Sequence, residues 1–222
     1  MMVFNSHFAS RFKLFSTLLT VLVLSSSFAF ANPTDSLLHR FNQAEQGDPG
    51  MVDSVHDELS ALLEQQGATP LTLVYLGCTQ NLQGRDAFMP WNKMKFAERG
   101  LATIQKGLDL MASQPIPVQE QQRLQGLPEY QLATAMAATT YTALPDMFNH
   151  FERGYELYLA LLNDPSFQQQ PFSYTAWVYR YGIEAALRAD DQTQAKAWLA
   201  EMERIDYDNP ETQNAKSLIA KH

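Results

Sequence analysis

Cys78 is the single cysteine of the 222-residue chain, and a thiol becomes a strong nucleophile once a base takes its proton. The histidines beyond the first thirty residues are His39, His56, His150 and His222. No two of them stand four apart, there is no His-Glu-x-x-His, and neither Gly-x-Ser-x-Gly nor a phosphate-cradling glycine loop occurs. A base for Cys78 therefore has to be brought to it by folding. Asp53, His56 and Asp57 share a helix face and carry atoms that bind divalent cations, but acidic residues around a histidine on an amphipathic helix ordinarily face solvent. No metal or other cofactor is expected. Glu201 and Glu203 fall on different helix faces and form no acid–base couple.

Recognition is better served by these residue types than catalysis. Tyr174, Trp177, Tyr179, Arg180 and Tyr181 form an aromatic and guanidinium cluster, the mix that dominates binding hot spots, although aromatics at helical spacing also simply pack. A second cluster, Arg85, Asp86, Pro90, Trp91, Asn92, Lys93 and Lys95, sits on a turn that reads as too long for plain connection. A local pair of Arg85 and Asp86 with Trp91 tucked beneath it is the alternative.

Elements that hold these clusters are helical throughout. Ala, Leu, Gln and Glu dominate between turn signals, and period-2 runs of β-branched residues bounded by Asn-Gly or Asp-Gly are missing, which predicts an all-α fold. Thr34 or Asp35 caps a helix carrying Leu37, Leu38, Phe41 and Ala44. A second helix is predicted from about Met51 to Gln66, and a third opens at Pro70 and stops at Gly84. Residues 85–91 then read as an insertion before a helix from about Asn92 to Met111. Pro128 opens the next, which Pro145 breaks, and Phe148 begins an aromatic-rich helix ending near Asn163. Ser173 caps a helix to about Ala189, Asp190-Asp191 turns the chain, and helices follow from Gln194 to Ile205 and from Pro210 to Ala220.

Composition bounds the rest. With 16 Lys+Arg against 24 Asp+Glu, a net charge of −8 and a pI near 5.0, the chain lacks the basic footprint of a nucleic-acid binder, and one cysteine builds no disulfide framework. Arg11 and Lys13, an apolar run from Leu14 to Leu24, and Ala29-Phe30-Ala31 are the three parts of a secretory signal peptide with cleavage after Ala31. The run of eleven residues is well short of the roughly 20 that cross a bilayer. One domain, residues 32–222, is expected to remain, without a stable membrane span. Leu76-Gly77-Cys78 looks like a lipoprotein cleavage box, but the apolar residues before it begin only at Leu71 with no basic n-region, and the leader already lies upstream. Cys78 then reads as a small buried core residue. The missing disulfides and acceptor sequons favour a periplasmic over another secreted address.

Helix pairs joined by short turns prompt a search for a repeat of about 34 residues. The segment from Ala176 to Pro210 resembles one tetratricopeptide repeat (TPR): Tyr179 stands at the large-residue position, Asp190-Asp191 at the Gly-Asp turn, Ala195 at the small residue of the second helix and Ile205-Asp206 at its end. Gly182-Ile183 replaces the usual Leu-Gly, and Pro210 comes late. Leu76-Gly77 with Gly84 as turn glycine is similar to the first half of an earlier unit, and Met136 to Pro165 resembles a third. The resemblance implies a short right-handed solenoid of stacked hairpins, non-enzymatic, binding a protein or peptide partner of the cell envelope on the surface lined by the first helix of each pair. It puts Trp177, Arg180, Glu184 and Arg188 on one groove-facing stripe, and Leu71, Val74, Cys78 and Asn81 at the corresponding earlier positions. Candidate partner-binding residues are thus Trp177, Arg180, Glu184, Arg188, Asn81, Arg85, Trp91 and Lys93. Two other readings stay open: a small helical hydrolase or ligand-binding protein with its site near Cys78 and Trp91, and a structural subunit that forms a homodimer through a terminal hairpin.

Overall fold

The computed structural model describes residues 32–222, so the leader and its cleavage site lie outside the described residues. The fold is all-α. Its helices are α1 (Asp35–Glu45), α2 (Pro49–Gln66), α3 (Pro70–Asp86), α4 (Pro90–Ser113), α5 (Glu129–Ala143), α6 (Phe151–Leu162), the one-turn α7 (Pro165–Gln168), α8 (Phe172–Arg188), α9 (Gln192–Ile205) and α10 (Pro210–Lys221).

Local chemistry sets the starts. Proline occupies the first turn of α2, α3, α4, α7 and α10, where its missing N–H costs nothing. The side chains of Thr34, Asp48, Thr69, Asp164, Asp191 and Asn209 accept from first-turn amides of the helices they precede. Several expected boundaries move for this reason. α2 begins at Pro49 because Asp48 caps it, and α8 begins at Phe172, directly after Pro171, so Ser173 lies inside the helix. Phe148 belongs to a separate 3-10 turn, Asp146–Phe148, that precedes α6.

Two larger differences bear on function. Gly84 does not stop α3: it is buried within the helix, which runs on to Asp86. The expected seven-residue insertion is therefore a three-residue turn, Ala87, Phe88 and Met89, before Pro90 opens α4. The second is a two-stranded antiparallel hairpin, β1 (Arg123–Leu124) with β2 (Leu127–Pro128), where no strand was expected. Its turn residues Gln125 and Gly126 have φ of 49° and 84°, so Gln-Gly does here what Asn-Gly usually does.

Packing follows two series. Neighbours in the chain pack on one another from α1 through α6, then α6 on α8, α8 on α9 and α9 on α10, while α7 rests on α6. In addition α1 touches α3, α3 touches α5, α5 touches α8 and α8 touches α10. The inner helices α3 and α5 are consequently buried on nearly every face, including Leu71, Val74, Tyr75 and Cys78 of α3 and Leu132, Ala133, Ala137 and Tyr141 of α5. The closest approach joins α3 to α4. A Cβ on Gly77 would lie 2.6 Å from the Gly100 carbonyl oxygen, and one on Gly107 2.9 Å from that of Pro70.

The α8–α9 turn carries the one backbone strain in the C-terminal hairpin. Asp190 has φ of 58°, the left-handed region that costs an L-residue about 1–2 kcal/mol, and Asp191 caps α9 beside it. Asp190→Gly relieves that cost but returns about 0.5–1 kcal/mol of backbone entropy to the unfolded chain. The expected net result is a stabilisation of about 0.5 kcal/mol, read from urea denaturation midpoints.

Candidate functional site

The α3–α4 tip carries the most exposed aromatics of the described residues: Phe88, on the turn, is 92% exposed, and Trp91, in the first turn of α4, 63%. Neither is loose. The Ala87 amide donates to the Gln83 carbonyl at 2.9 Å, and the Asn92 and Lys93 amides both donate to the Met89 carbonyl. Lys93 Nζ donates across the turn to the Arg85 carbonyl at 3.2 Å. Arg85 in turn braces the tip against α1: its guanidinium donates to the Glu45 carbonyl at 2.8 Å and to that of Ala44 at 3.1 Å, while Asp86 accepts from Nε at 2.7 Å. A guanidinium on carbonyls at a helix C-terminus also complements that helix's dipole. The expected Arg85–Asp86 pair forms, but Trp91 is not tucked beneath it.

Beside this tip lies a cleft of about 430 Å³ between the end of α1, α3, the start of α4 and the end of α5. Phe41, Leu82, Ala97, Ala143, Leu144 and Phe148 supply apolar walls. Cys78 and Thr140 lie deep in it, 3.0 Å apart through Sγ and Oγ1, and Glu45, Arg85 and Lys93, all exposed, stand at its edge. Asn81 lines it too, half-buried, with Nδ2 donating to the Gly77 carbonyl at 2.9 Å. Three sequence candidates, Asn81, Arg85 and Lys93, thus converge on one cleft, with Trp91 on the adjoining turn.

The thiol in that cleft is chemically quiet. Burial pushes Cys78 up to about 12, against the smaller opposing effect of the Thr140 hydroxyl, and no histidine lines the cleft to act as its base. At pH 8 only about one thiol in 10⁴ is then ionised. Alkylation of the native protein should run more than about 100-fold slower than that of the urea-unfolded chain. The raised value also gives a pH dependence. Because the folded thiol holds its proton longer than the unfolded one, its stabilising contribution is complete below about pH 9 and fades as pH rises towards 12. Buried Tyr75 and Tyr158, likewise pushed up by desolvation, act in the same direction. Cys78→Ala should therefore flatten part of the alkaline fall in stability.

The C-terminal stripe is differently placed. Arg180 Nε donates to Glu211 of α10 at 2.6 Å, its Nη1 lies 3.5 Å from Glu184, and its guanidinium sits 3.7 Å from the centre of the Tyr181 ring. Arg188 donates to the Thr142 carbonyl and to Asp146, and lies 4.3 Å over the Phe151 ring. Trp177 is half-buried, edge-on to Tyr181 at 6.3 Å. These guanidinium groups tie α8 to α10 and to the end of α5. Glu184 is exposed, Tyr179 is buried, and Tyr174 lies across Gly126 of the hairpin turn.

No family model matches the chain, and neither a curated protein nor a solved structure does. Function must then be argued from the geometry alone. Among the described residues no group of three or more His, Cys, Asp and Glu converges: Asp53 accepts from Gln83 at 3.1 Å, and His56 faces Asp57 at 3.3 Å. None of the described helices is long and apolar enough to cross a membrane. Sequence reasoning passed over Phe88. The signal available was a bulky aromatic directly before Met89-Pro90, a place where no helix periodicity asks for one.

Proposed function

We propose that the chain is a non-enzymatic binding module of the cell envelope, a short right-handed solenoid of TPR-like hairpins whose α3–α4 tip docks a protein or peptide partner. The observation that carries this reading is the exposure of Phe88 and Trp91 on a turn braced by Arg85 and Lys93. Exposed bulky aromatics on a braced backbone bind at a lower ordering cost than the same residues on a free loop, and aromatic and arginine residues dominate interface hot spots. The solenoid reading is supported by the second packing series, α1–α3–α5–α8–α10, in which the first helix of each pair touches the first helix of the next. A signal peptide ending at Ala31 delivers such a module to the periplasm or the exterior.

A photoreactive amino acid in place of Phe88 or Trp91, in cells producing the protein, tests the docking tip. A discrete cross-linked product at both positions, missing when the probe replaces exposed Tyr207, is the expected result. Products equally abundant at all three positions, or a product whose mass is twice that of the chain, would sink the partner reading, the latter in favour of a homodimer.

A further inference from the structure

The geometry points to a second binding site, beside the tip and sharing Arg85 and Lys93 with its brace: the cleft between α3 and α5 takes a small amphiphile, its single apolar chain inside and its carboxylate on Lys93. The cavity is formed by five segments of chain whose positions are set by the core, so it is ready-made, and about 430 Å³ falls within the range of about 300–1,000 Å³ of small-molecule sites.

Its interior asks for an apolar body. Walls of Phe41, Leu82, Ala97, Leu144 and Phe148 are hydrocarbon; Cys78 is paired with Thr140, and Thr139 with the Ala135 carbonyl and the Tyr158 hydroxyl, while Asn81 Oδ1 is the one buried side-chain oxygen of the lining without a partner. A ligand with polar groups along its length would leave them without partners there. Apart from Asn81 Oδ1, the lining offers water little to hold it, which makes its displacement from the apolar walls by a hydrocarbon chain favourable.

The edge asks for an anion. Lys93 has three N–H donors and one bond within the protein, to the Arg85 carbonyl, so two remain for a ligand. Arg85 has five, of which four are engaged by Asp86, Ala44 and Glu45, leaving one. The opposing acid that lines the cleft is Glu45, and the Arg85 guanidinium, which donates to the Glu45 carbonyl at 2.8 Å, places a positive charge beside it. Asp86 is neutralised by Arg85 and does not line the cleft. A chain −8 overall thus sets Lys93, which has no ion-pair partner among the described residues, at the mouth of this apolar space.

Titration calorimetry of the purified protein with hexanoate, octanoate and decanoate, each below its micellar concentration, tests the proposal. Affinity should rise about three- to fourfold per added methylene. Decanoate should bind at least about tenfold more tightly than decylammonium, and Lys93→Ala should remove that preference while leaving decanol binding unchanged. Ala143→Phe, an exposed position that lines the cleft and tolerates a larger side chain, should abolish binding of all of them without changing the melting profile. Bound decanoate should further slow alkylation of Cys78, reporting occupancy at the buried end. No dependence on chain length, equal binding of carboxylate and ammonium, or full binding by Ala143→Phe would each overturn the proposal.

Discussion

Gly77→Ala should destabilise the protein by about 2 kcal/mol. A methyl group there would lie 2.6 Å from the Gly100 carbonyl oxygen, 2.6 Å from Ile104 Cγ1 and 2.8 Å from the Ile104 nitrogen, so two of its three nearest neighbours are backbone of α4. Backbone cannot rotate away; α4 as a whole must shift. Overpacking of this kind costs about 1–3 kcal/mol and more where main chain is involved, and the better helix propensity of alanine recovers about 0.8–1 kcal/mol. For a chain of this size the balance lowers Tm by about 4–8 °C. Gly50→Ala is the matched control. It also lies in a helix, but its new methyl would meet only Asp48 Oδ1 at an ordinary 3.5 Å, so the propensity gain stands alone and the variant should melt at or above the parent temperature.

That close crossing has a functional consequence. α3 and α4 are held by glycines at Gly77, Gly100 and Gly107, the last two one heptad apart on the same face of α4, so the two helices meet almost backbone to backbone. Their common end, the turn at residues 87–89, inherits that rigidity. The tip therefore projects Phe88 and Trp91 from the most closely packed pair of the described helices, which also form two sides of the cleft beside it. A loop built for mobility would have shown the reverse: small polar residues on a long connection with few bonds across it.

What the sequence made legible was periodicity and punctuation. Apolar spacing located each long helix, and proline with Ser, Thr, Asp or Asn located their starts to within a few residues, because caps and first-turn prolines act locally. Gly84 misled because the residue alone does not say whether a glycine ends a helix or lets another helix come close. The deciding fact is how near α4 comes: a Cβ on Gly84 would lie 3.1 Å from the Lys93 carbonyl oxygen, a tertiary constraint. Gln125-Gly126 escaped notice for a related reason: Gly126 is pinned against the Tyr174 ring, so packing from α8 makes up for a weak turn former. The candidate residues divide in the same way. Arg85 and Lys93 could be named from their cluster, but that they share a cleft with Phe41, Thr140 and Leu144 depends on α1 and α5 folding onto α3. Arg180 and Arg188 could be aligned to a groove by repeat spacing, while their partners Glu211, Asp146 and the Thr142 carbonyl lie 31 to 46 residues away in the chain.

Phe88→Ser combined with Trp91→Ser should weaken partner binding by about 10³-fold and leave the fold intact. A hot-spot aromatic contributes about 2 kcal/mol or more, which is about 30-fold in Kd, and two such residues on one turn act on the same partner surface. Both side chains are largely in water before binding, so their removal takes little from the native state; substitutions at such places ordinarily change stability by less than about 0.5 kcal/mol. The prediction separates two explanations of the exposed aromatics. If they serve docking, cross-linking from a probe at the unsubstituted neighbouring position Met89 falls to background while the melting temperature holds. If they instead pack against the protein's own surface in solution, the double variant loses stability and retains its cross-links. The brace offers an independent check on the mechanism. Arg85→Ala removes the bonds to the Ala44 and Glu45 carbonyls that hold the tip but no aromatic surface, so it should speed hydrogen exchange of the Ala87 amide and weaken binding by about tenfold, mainly through slower association, since the tip must then be ordered at each encounter.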